Sequence, residues 1–247
     1  MLQRVRTIAL NTYRESVRAR IFIGLAIVAF AVALFSLVVG TFTLRNAPRV
    51  MSDLGAASIS VFSIIVALMN SVTSLFREVE QKTIFPILAR PVRREEYIVG
   101  KYLGTILTVF AFICADTGFV LMLVTSLAKE GSTLLAFGPG VAVTIVMAVA
   151  AVKSARARTY GIIPWAIVML LVGVAVSGAV PDERRLMVTS SLLTLLEVMS
   201  VAGYAPLFAA FSSPFLSALF SVMLFITCRS ADQLGHLPKK LFGPFFV

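Results

Sequence analysis

The densest mixture of charged and apolar side chains lies between residues 77 and 101, outside the long apolar runs. Both charge signs occur there, together with apolar residues such as Phe85 and Leu88. A plainly solvated connector would lack these apolar side chains, so the composition predicts a segment that packs against another surface. Docking of a partner protein is one interpretation, and a loop that folds back on lipid headgroups is the other. Pro91 divides the segment into two predicted helical pieces.

A second candidate for chemistry is Asp116, a lone carboxyl group within an apolar run. An ionisable residue inside a membrane is a functional candidate because placing it there is costly. A hydrogen bond to a neighbouring helix is the alternative, and the residue pattern leaves both readings open. Two interpretations are likewise open for Asn70, which can line a transport pathway or make a helix-packing contact.

The residue pattern does not support metal binding or nucleophilic catalysis. His236 is the only histidine, and Cys114 and Cys228 lie in separate apolar runs. Metal sites need clustered ligands, and acid–base catalysis needs groups that converge on one place. We therefore expect no metal site, no catalytic residue and no cofactor in this chain.

The composition is typical of a membrane protein. Of the 247 residues, 59% are hydrophobic and 14% are charged, and the mean hydropathy is +0.95. Soluble domains are about 45–50% apolar and about 25% charged. A membrane-spanning helix needs about 20 mainly apolar residues, and six stretches qualify: 21–43, 56–76, 102–127, 133–152, 160–180 and 205–228. We predict an all-α integral membrane protein with one transmembrane domain over residues 1–247.

The basic residues predict the topology. With the N-terminus in the cytoplasm, 17 Lys and Arg residues fall on the cytoplasmic side and 5 on the outside. Cytoplasmic loops of membrane proteins carry such an excess. The distribution therefore predicts that both termini are cytoplasmic in an inner (plasma) membrane. It also accounts for the net charge of +10 without a nucleic-acid partner.

Two segments outside the six stretches have distinct patterns. Residues 1–20 form a predicted amphipathic helix with arginines on one face, which suits the membrane plane. The alternative is a plain extension of the first membrane helix. Residues 181–204 are apolar but interrupted by polar residues, and a span there would place Glu197 in lipid at a high cost. We expect short external helices in this segment, before the last span.

The segment 77–101 resembles the signature loop of type-2 ABC exporter permeases, which lies between the second and third membrane helices. Two motifs carry the resemblance: Glu78-x-Glu80-x-x-Thr83, and Leu88-x-x-Pro91-Val-x-Arg94 followed by Gly100-Lys101. Lys82 departs from the pattern, because the family often has Gly before the Thr. The layout is also similar to that family, including permeases of the type that serves nitrous oxide reductase maturation.

The resemblance implies a permease that pairs with a second copy or a paralogue, with two separate ABC ATPase subunits that bind ATP and Mg²⁺. No Walker A motif occurs in this sequence. The loop would contain a coupling helix that docks on the ATPase. The docking residues would be Glu78, Glu80, Lys82, Thr83, Ile84, Phe85, Leu88, Arg90, Arg93 and Arg94.

Three functions are compatible with these patterns. The first is the permease subunit of an ATP-driven exporter, which is a transporter component and not itself an enzyme. The second is a membrane anchor whose ATPase drives mechanical or assembly work without moving a small solute. The third is a membrane-embedded enzyme that uses Asp116, and it would need further polar residues to converge on that carboxyl group.

The topology leads to a labelling prediction at Lys129, which the charge distribution places outside the cell. In a variant without native cysteines, Lys129→Cys should react with a membrane-impermeant thiol reagent in intact cells. A cysteine at Arg90, in the predicted cytoplasmic loop, is the matched control and should react only after the membrane is broken. The reverse pattern would contradict the topology.

Overall fold

The fold is a bundle of α-helices. The computed structural model describes residues 2–42, 46–80, 94–128, 133–154 and 159–235, and no β-strand occurs among them. The helices are α1 (Leu2–Arg18), α2 (Arg20–Phe42), α3 (Ala47–Glu80), α4 (Arg94–Ala128), α5 (Thr133–Lys153), α6 (Ile162–Val176), α7 (Pro181–Ala209) and α8 (Pro214–Gly235). A 3₁₀ turn, Ser177–Ala179, follows α6.

The prediction of an all-α protein with six helices able to cross a membrane is confirmed. Helices α2, α3, α4, α5 and α7 each contain a stretch that is long and apolar enough to span a bilayer, and α6 does so together with the 3₁₀ turn that follows it. Helix α4 is the centre of the bundle, because 78% of its most apolar stretch is buried, against 17% in α2. It packs against α1, α2, α3, α5, α6 and α7.

Glycines allow α4 to approach two of its neighbours closely. A Cβ atom added to Gly118 would lie 2.4 Å from the carbonyl oxygen of Met169 in α6. On the facing helix, a Cβ on Gly173 would lie 2.6 Å from the carbonyl oxygen of Gly118. The two backbones are therefore in direct contact. In a membrane, where burying apolar surface gives little driving force, such close packing is a main source of helix association.

Helix α1 is amphipathic, as predicted, and its apolar face packs on α4. Tyr13 is fully buried and Val17 is 6% exposed, whereas the arginines of α1 lie on its exposed face. The Tyr13 hydroxyl donates a hydrogen bond to the carbonyl oxygen of Thr159 at 3.0 Å. Ala19 interrupts the helical path before α2 begins, so α1 is a separate helix and not a plain extension of α2.

The position of α1 defines one end of the bundle, which we call the α1 end. Gly100 and Gly104, near the start of α4, lie directly beneath Ile8 and Thr12 of α1. Thr159, just before α6, lies at the same end. Burial, with a smaller contribution from Tyr160, raises the pKa of Tyr13 to about 12, so its hydroxyl remains a hydrogen-bond donor at physiological pH.

The prediction of short external helices in residues 181–204 is wrong. Residues Pro181–Ala209 form one continuous helix of 29 residues. Two of the polar residues that suggested interruptions face the protein: Ser191 hydrogen-bonds with Thr117 at 2.7 Å, and Thr194 is 5% exposed. The carboxylate of Glu197 is paired with Arg229 at 3.0 Å. This ion pair offsets the free-energy cost of placing Glu197 in the membrane, which was the reason for the prediction.

The predicted sixth span, 205–228, is also divided in the structure. Helix α7 ends at Ala209, and α8 starts at Pro214. The residue before a proline disfavours helical backbone, whereas proline itself fits the first turn of a helix. The helix that satisfies the length and composition of a sixth span is therefore α7. Helix α8 folds back along α7, with the Tyr204 hydroxyl donating to the Ser221 carbonyl oxygen at 3.4 Å.

The contact between α4 and α6 predicts the effect of adding one methyl group. Gly118→Ala should lower the free energy of unfolding by about 1–3 kcal/mol, because the methyl group meets backbone that can move only if the helices separate. Gly24→Ala is the control, since a Cβ there meets nothing within 4 Å. Thermal unfolding of both variants in detergent measures the difference. Equal stability of the two variants would contradict the close contact.

Candidate functional site

The motif-bearing segment begins at the last turn of α3 and ends in the first turns of α4. Glu78 and Glu80 are helical residues at the end of α3, and Arg94 is the first residue of α4. The other predicted docking residues lie outside the described part of the chain: Lys82, Thr83, Ile84, Phe85, Leu88, Arg90 and Arg93. The structure thus describes the two helices that carry the loop but not its centre.

The second motif continues into α4, and there its glycine has a structural role. A Cβ atom on Gly100 would lie 2.7 Å from the Cβ of Ile8 in α1. Any larger residue would push α1 away from α4. One turn earlier, Glu96 lies 4.0 Å from Arg4 of α1, and its side chain is 6% exposed. The motif residues that follow the loop therefore attach α1 to the start of α4.

A cavity of about 490 Å³ opens between α3, α4 and α7 near the α1 end. Its walls are formed by Asn70, Ser71, Tyr97, Ile98, Val99, Lys101, Tyr102, Thr105, Ala202, Gly203, Pro206, Leu207 and Ala210. Small-molecule sites in proteins usually occupy about 300–1,000 Å³ and combine apolar walls with a few polar groups. This cavity has both the size and the composition of such a site.

Asn70, a candidate pathway residue from its sequence, lies in the wall of this cavity. It is 9% exposed, and its Nδ2 atom has no hydrogen-bond partner in the described structure. The neighbouring Ser71 Oγ is also buried without a partner there. Buried polar groups usually find partners, so two such groups side by side in a cavity wall are consistent with a ligand site.

Lys101 brings a positive charge to the same cavity. Its Nζ lies over the ring of Tyr97, 5.1 Å from the ring centroid, and both residues line the cavity. The Tyr102 hydroxyl donates to the Met199 carbonyl oxygen at 3.1 Å, which ties α4 to α7 beside it. From the sequence, Lys101 was only the last residue of a motif. Its place in a cavity could not be predicted, because the other walls of the cavity come from α3 and α7.

Asp116, the other candidate pathway residue, lies in the interior of the bundle and not in the cavity wall. It is 1% exposed, and neither carboxyl oxygen has a hydrogen-bond partner among the described residues. Its neighbour Thr117 does have one, in Ser191. The predicted alternative of a hydrogen bond to an adjacent helix is therefore not found for Asp116.

Sequence reasoning missed a polar cluster formed by Ser60, Glu197 and Arg229. Arg229 Nη1 lies 3.0 Å and 3.1 Å from the two carboxylate oxygens of Glu197. The same nitrogen lies 3.3 Å from the Ser60 hydroxyl. The cluster joins α3, α7 and α8; Ser60 is buried, whereas the side chains of Glu197 and Arg229 are partly exposed. The spacing of 32 residues between Glu197 and Arg229 gives no local signal, so only the hairpin of α7 and α8 brings them together.

Within the described ranges, no group of three or more His, Cys, Asp or Glu side chains could hold a metal ion. Comparison of the chain with models of protein families, with curated proteins and with solved structures finds no match. The functional argument therefore depends on the residues and the geometry.

The environment of Asp116 predicts the effect of an isosteric substitution. Asp116→Asn should leave the unfolding temperature equal to or above that of the wild type, because no hydrogen bond to the carboxyl group is lost. Thermal unfolding in detergent checks this, with Thr117→Val as a comparison that does remove a hydrogen bond. A lower unfolding temperature for Asp116→Asn would show that the carboxyl group has a structural partner. A folded variant that has lost activity would assign Asp116 to the pathway.

Proposed function

We propose that this chain is the transmembrane permease subunit of an ABC transporter of the exporter type. In this proposal a separate ATPase hydrolyses ATP, and the permease converts the resulting movement into transfer of a substrate across the inner membrane. The support comes from the motif at 78–101, from the helices that carry it and from the cavity at the α1 end.

The observation that carries the proposal is the length of the two helices that flank the motif. Helix α3 has 34 residues and α4 has 35, and at 1.5 Å per residue each is about 50 Å long. The hydrocarbon core of a bilayer is about 30 Å thick. The apolar run of α3 ends at Phe76 in the sequence, and the charged residues Arg77, Glu78 and Glu80 follow it in the last turn of the helix. The motif would then stand clear of the membrane, where a soluble ATPase can reach it.

The start of α4 offers a route from the motif into the bundle. Arg94, Glu96 and Gly100 belong to the segment that resembles the permease loop, and they are part of the central helix. A displacement of the loop would move α4 and, through Gly100 and Gly104, the helix α1 packed on it. Because α4 contacts most other helices, such a movement would change the packing around the cavity.

The orientation follows from the charges. In this proposal the N-terminus is cytoplasmic, and the even number of spans from α2 to α7 returns the chain to the same side at Ala209. Helix α8 then folds back along α7, away from that side. The α1 end, with its exposed arginines, is then the cytoplasmic end. In that orientation α1 lies at the cytoplasmic surface of the membrane, with its arginines toward anionic headgroups.

The partners in this proposal are two ABC ATPase subunits, a second copy of the permease or a paralogue, and the lipid bilayer. ATP and Mg²⁺ would bind the ATPase and not this chain. A membrane anchor for ATPase-driven mechanical work would use the same loop, but it would need no ligand cavity. The cavity between α3, α4 and α7 therefore favours transport over anchoring.

The proposed docking surface predicts unequal effects of two substitutions. Buried apolar anchors usually contribute most to an interface, and charges at its rim contribute little. Phe85→Ala combined with Leu88→Ala should reduce copurification of the ATPase at least about tenfold, which corresponds to about 1.4 kcal/mol. Arg93→Ala is the matched control and should retain most of the binding. Quantitative mass spectrometry of the tagged permease purified from its native membrane measures both.

This experiment also tests the assignment itself. The wild-type chain should copurify with a protein that contains a Walker A motif, at equal numbers of permease and ATPase chains. Purification without any such protein would overturn the proposed function. Full ATPase binding and hydrolysis with the double variant would show that the loop is a headgroup-bound connector.

A further inference from the structure

The ion pair of Glu197 and Arg229 lies at the depth of the membrane interior. Glu197 is halfway between Arg185, the last of the charged residues that begin α7, and Ala209, at which α7 ends. At 1.5 Å per residue it is about 18 Å from each, and the hydrocarbon core of a bilayer is about 30 Å thick. Arg229 shares this depth, because its Nη1 atom lies 3.0 Å from the Glu197 carboxylate.

Both charged side chains reach the outside of the bundle. The side chain of Arg229 is 55% exposed and that of Glu197 is 36% exposed, whereas Ser60, the third member of the cluster, is buried. Neither charged residue lines the cavity between α3, α4 and α7. Charged side chains within membrane-spanning segments almost always face the protein interior or water, because contact with lipid chains is costly. The pair therefore needs a cover that lipid chains do not provide.

The surface around the pair is an outer face of the bundle. Helix α8 packs mainly against α7 and α3, so it lies at the edge of the bundle. One turn before Glu197 on α7 is Leu193, and one turn before Arg229 on α8 is Ile226. Both of these apolar residues are more than half exposed. We call the four residues the α7–α8 face, and its apolar members can pack against another membrane helix.

The α7–α8 face is complementary to itself, because it carries both signs of charge. Arg229 contacts Glu197 and Ser60 through Nη1 alone in the described structure, although a guanidinium group has five N–H donors. A carboxylate can likewise accept more bonds than one nitrogen supplies. Across a two-fold axis the same face occurs on both copies, so each arginine can donate to the carboxylate of the other copy. A partner surface of a single charge sign would repel one member of the pair.

We infer that two copies of this chain associate through the α7–α8 face, with Arg229 of each copy beside Glu197 of the other. The contact covers the exposed charges and leaves apolar surface elsewhere on the bundle to lipid. As the pairing of two permease subunits, this inference rests on the proposed function and names the surface involved. Association itself needs no ATPase, so it can be measured on this chain alone.

Charge reversal tests whether the two ion pairs meet. The full chain, with one fluorophore at its N-terminus, is reconstituted at low density in phosphatidylcholine vesicles, and photobleaching steps count the chains in each assembly. We expect mainly dimers for the wild type. Two copies of Glu197→Arg would bring only positive charges together, and two copies of Arg229→Glu only negative ones. Either variant alone should therefore form at least about tenfold fewer dimers.

Coexpression of the two variants separates contact between copies from contact within one chain. One variant then carries only positive charges at the face and the other only negative ones, so mixed dimers should recover most of the wild-type level. Within each chain the like charges remain together whether or not the variants are mixed. An ion pair that acts only inside one chain would show no recovery.

A neutral variant serves where charge reversal prevents folding. Glu197→Leu combined with Arg229→Leu removes both charges at once, and replacement of a whole ion pair by apolar residues usually preserves stability. Its unfolding temperature in detergent should stay close to that of the wild type. Its dimer dissociation constant in vesicles should rise at least about tenfold, because the charge-assisted hydrogen bonds between copies are lost.

The native Cys228 reports on the same face. It is exposed and adjacent to Arg229, whereas Cys114 is buried. A short membrane-permeant bifunctional thiol reagent should join two wild-type chains, and Cys228→Ser should abolish the product. Val146→Cys in the Cys228→Ser background is the matched control, because Val146 is 70% exposed on α5, which packs against α4 and α6. This control should give little cross-linked dimer.

Monomeric wild-type chains at every dilution would overturn this inference. Failure of folded reversal variants to recover dimers on mixing would overturn it too, as would wild-type dimerisation of the double leucine variant. Equal cross-linking through Val146→Cys, or cross-linking of Cys228 only to a different membrane protein, would assign the face to another role. A chain that dimerises through this face but purifies without an ATPase retains the inference and loses the proposed function. ATPase binding by a monomeric chain does the reverse.

Discussion

The architecture depends on how closely other helices can approach α4. Gly118 and Gly173 bring α4 and α6 to backbone contact, and Gly100 and Gly104 allow α1 to lie across the start of α4. In a bilayer, lipid tails solvate apolar side chains as well as protein does, so association depends on close van der Waals packing and on hydrogen bonds. Small residues on the central helix provide that packing.

The polar groups of the bundle fall into three classes that differ in their partners. Glu197 is paired with Arg229 and Ser60, so its charge is compensated within the protein. Asn70 and Ser71 have unpartnered groups in a cavity wall, where a ligand can reach them. Asp116 is enclosed and unpartnered. Burial without a partner is costly, so the first class stabilises the fold, and the other two are candidates for function.

A large part of the fold could be predicted from the sequence. Apolar stretches of about 20 residues predict helices because a membrane-spanning backbone must satisfy its own hydrogen bonds, and the amphipathic pattern of α1 follows from helical periodicity. The prediction failed at residues 181–204, because it judged Glu197 by itself. Arg229, which pairs with it, is 32 residues away on another helix. The free-energy cost of burying a charged side chain in a membrane helix cannot be judged until its ion-pair partner is known.

The sequence by itself determined that the chain is helical, that it suits a membrane and that residues 77–101 differ from the rest in composition. These properties depend on local composition and periodicity, which one segment contains entirely. Only the tertiary structure decided that Asn70, Lys101 and Gly203 share one cavity, and that α1 packs directly against Gly100. Their meeting depends on how three helices from separate parts of the chain align. That alignment is set by side-chain packing across helices, which no single segment of sequence encodes.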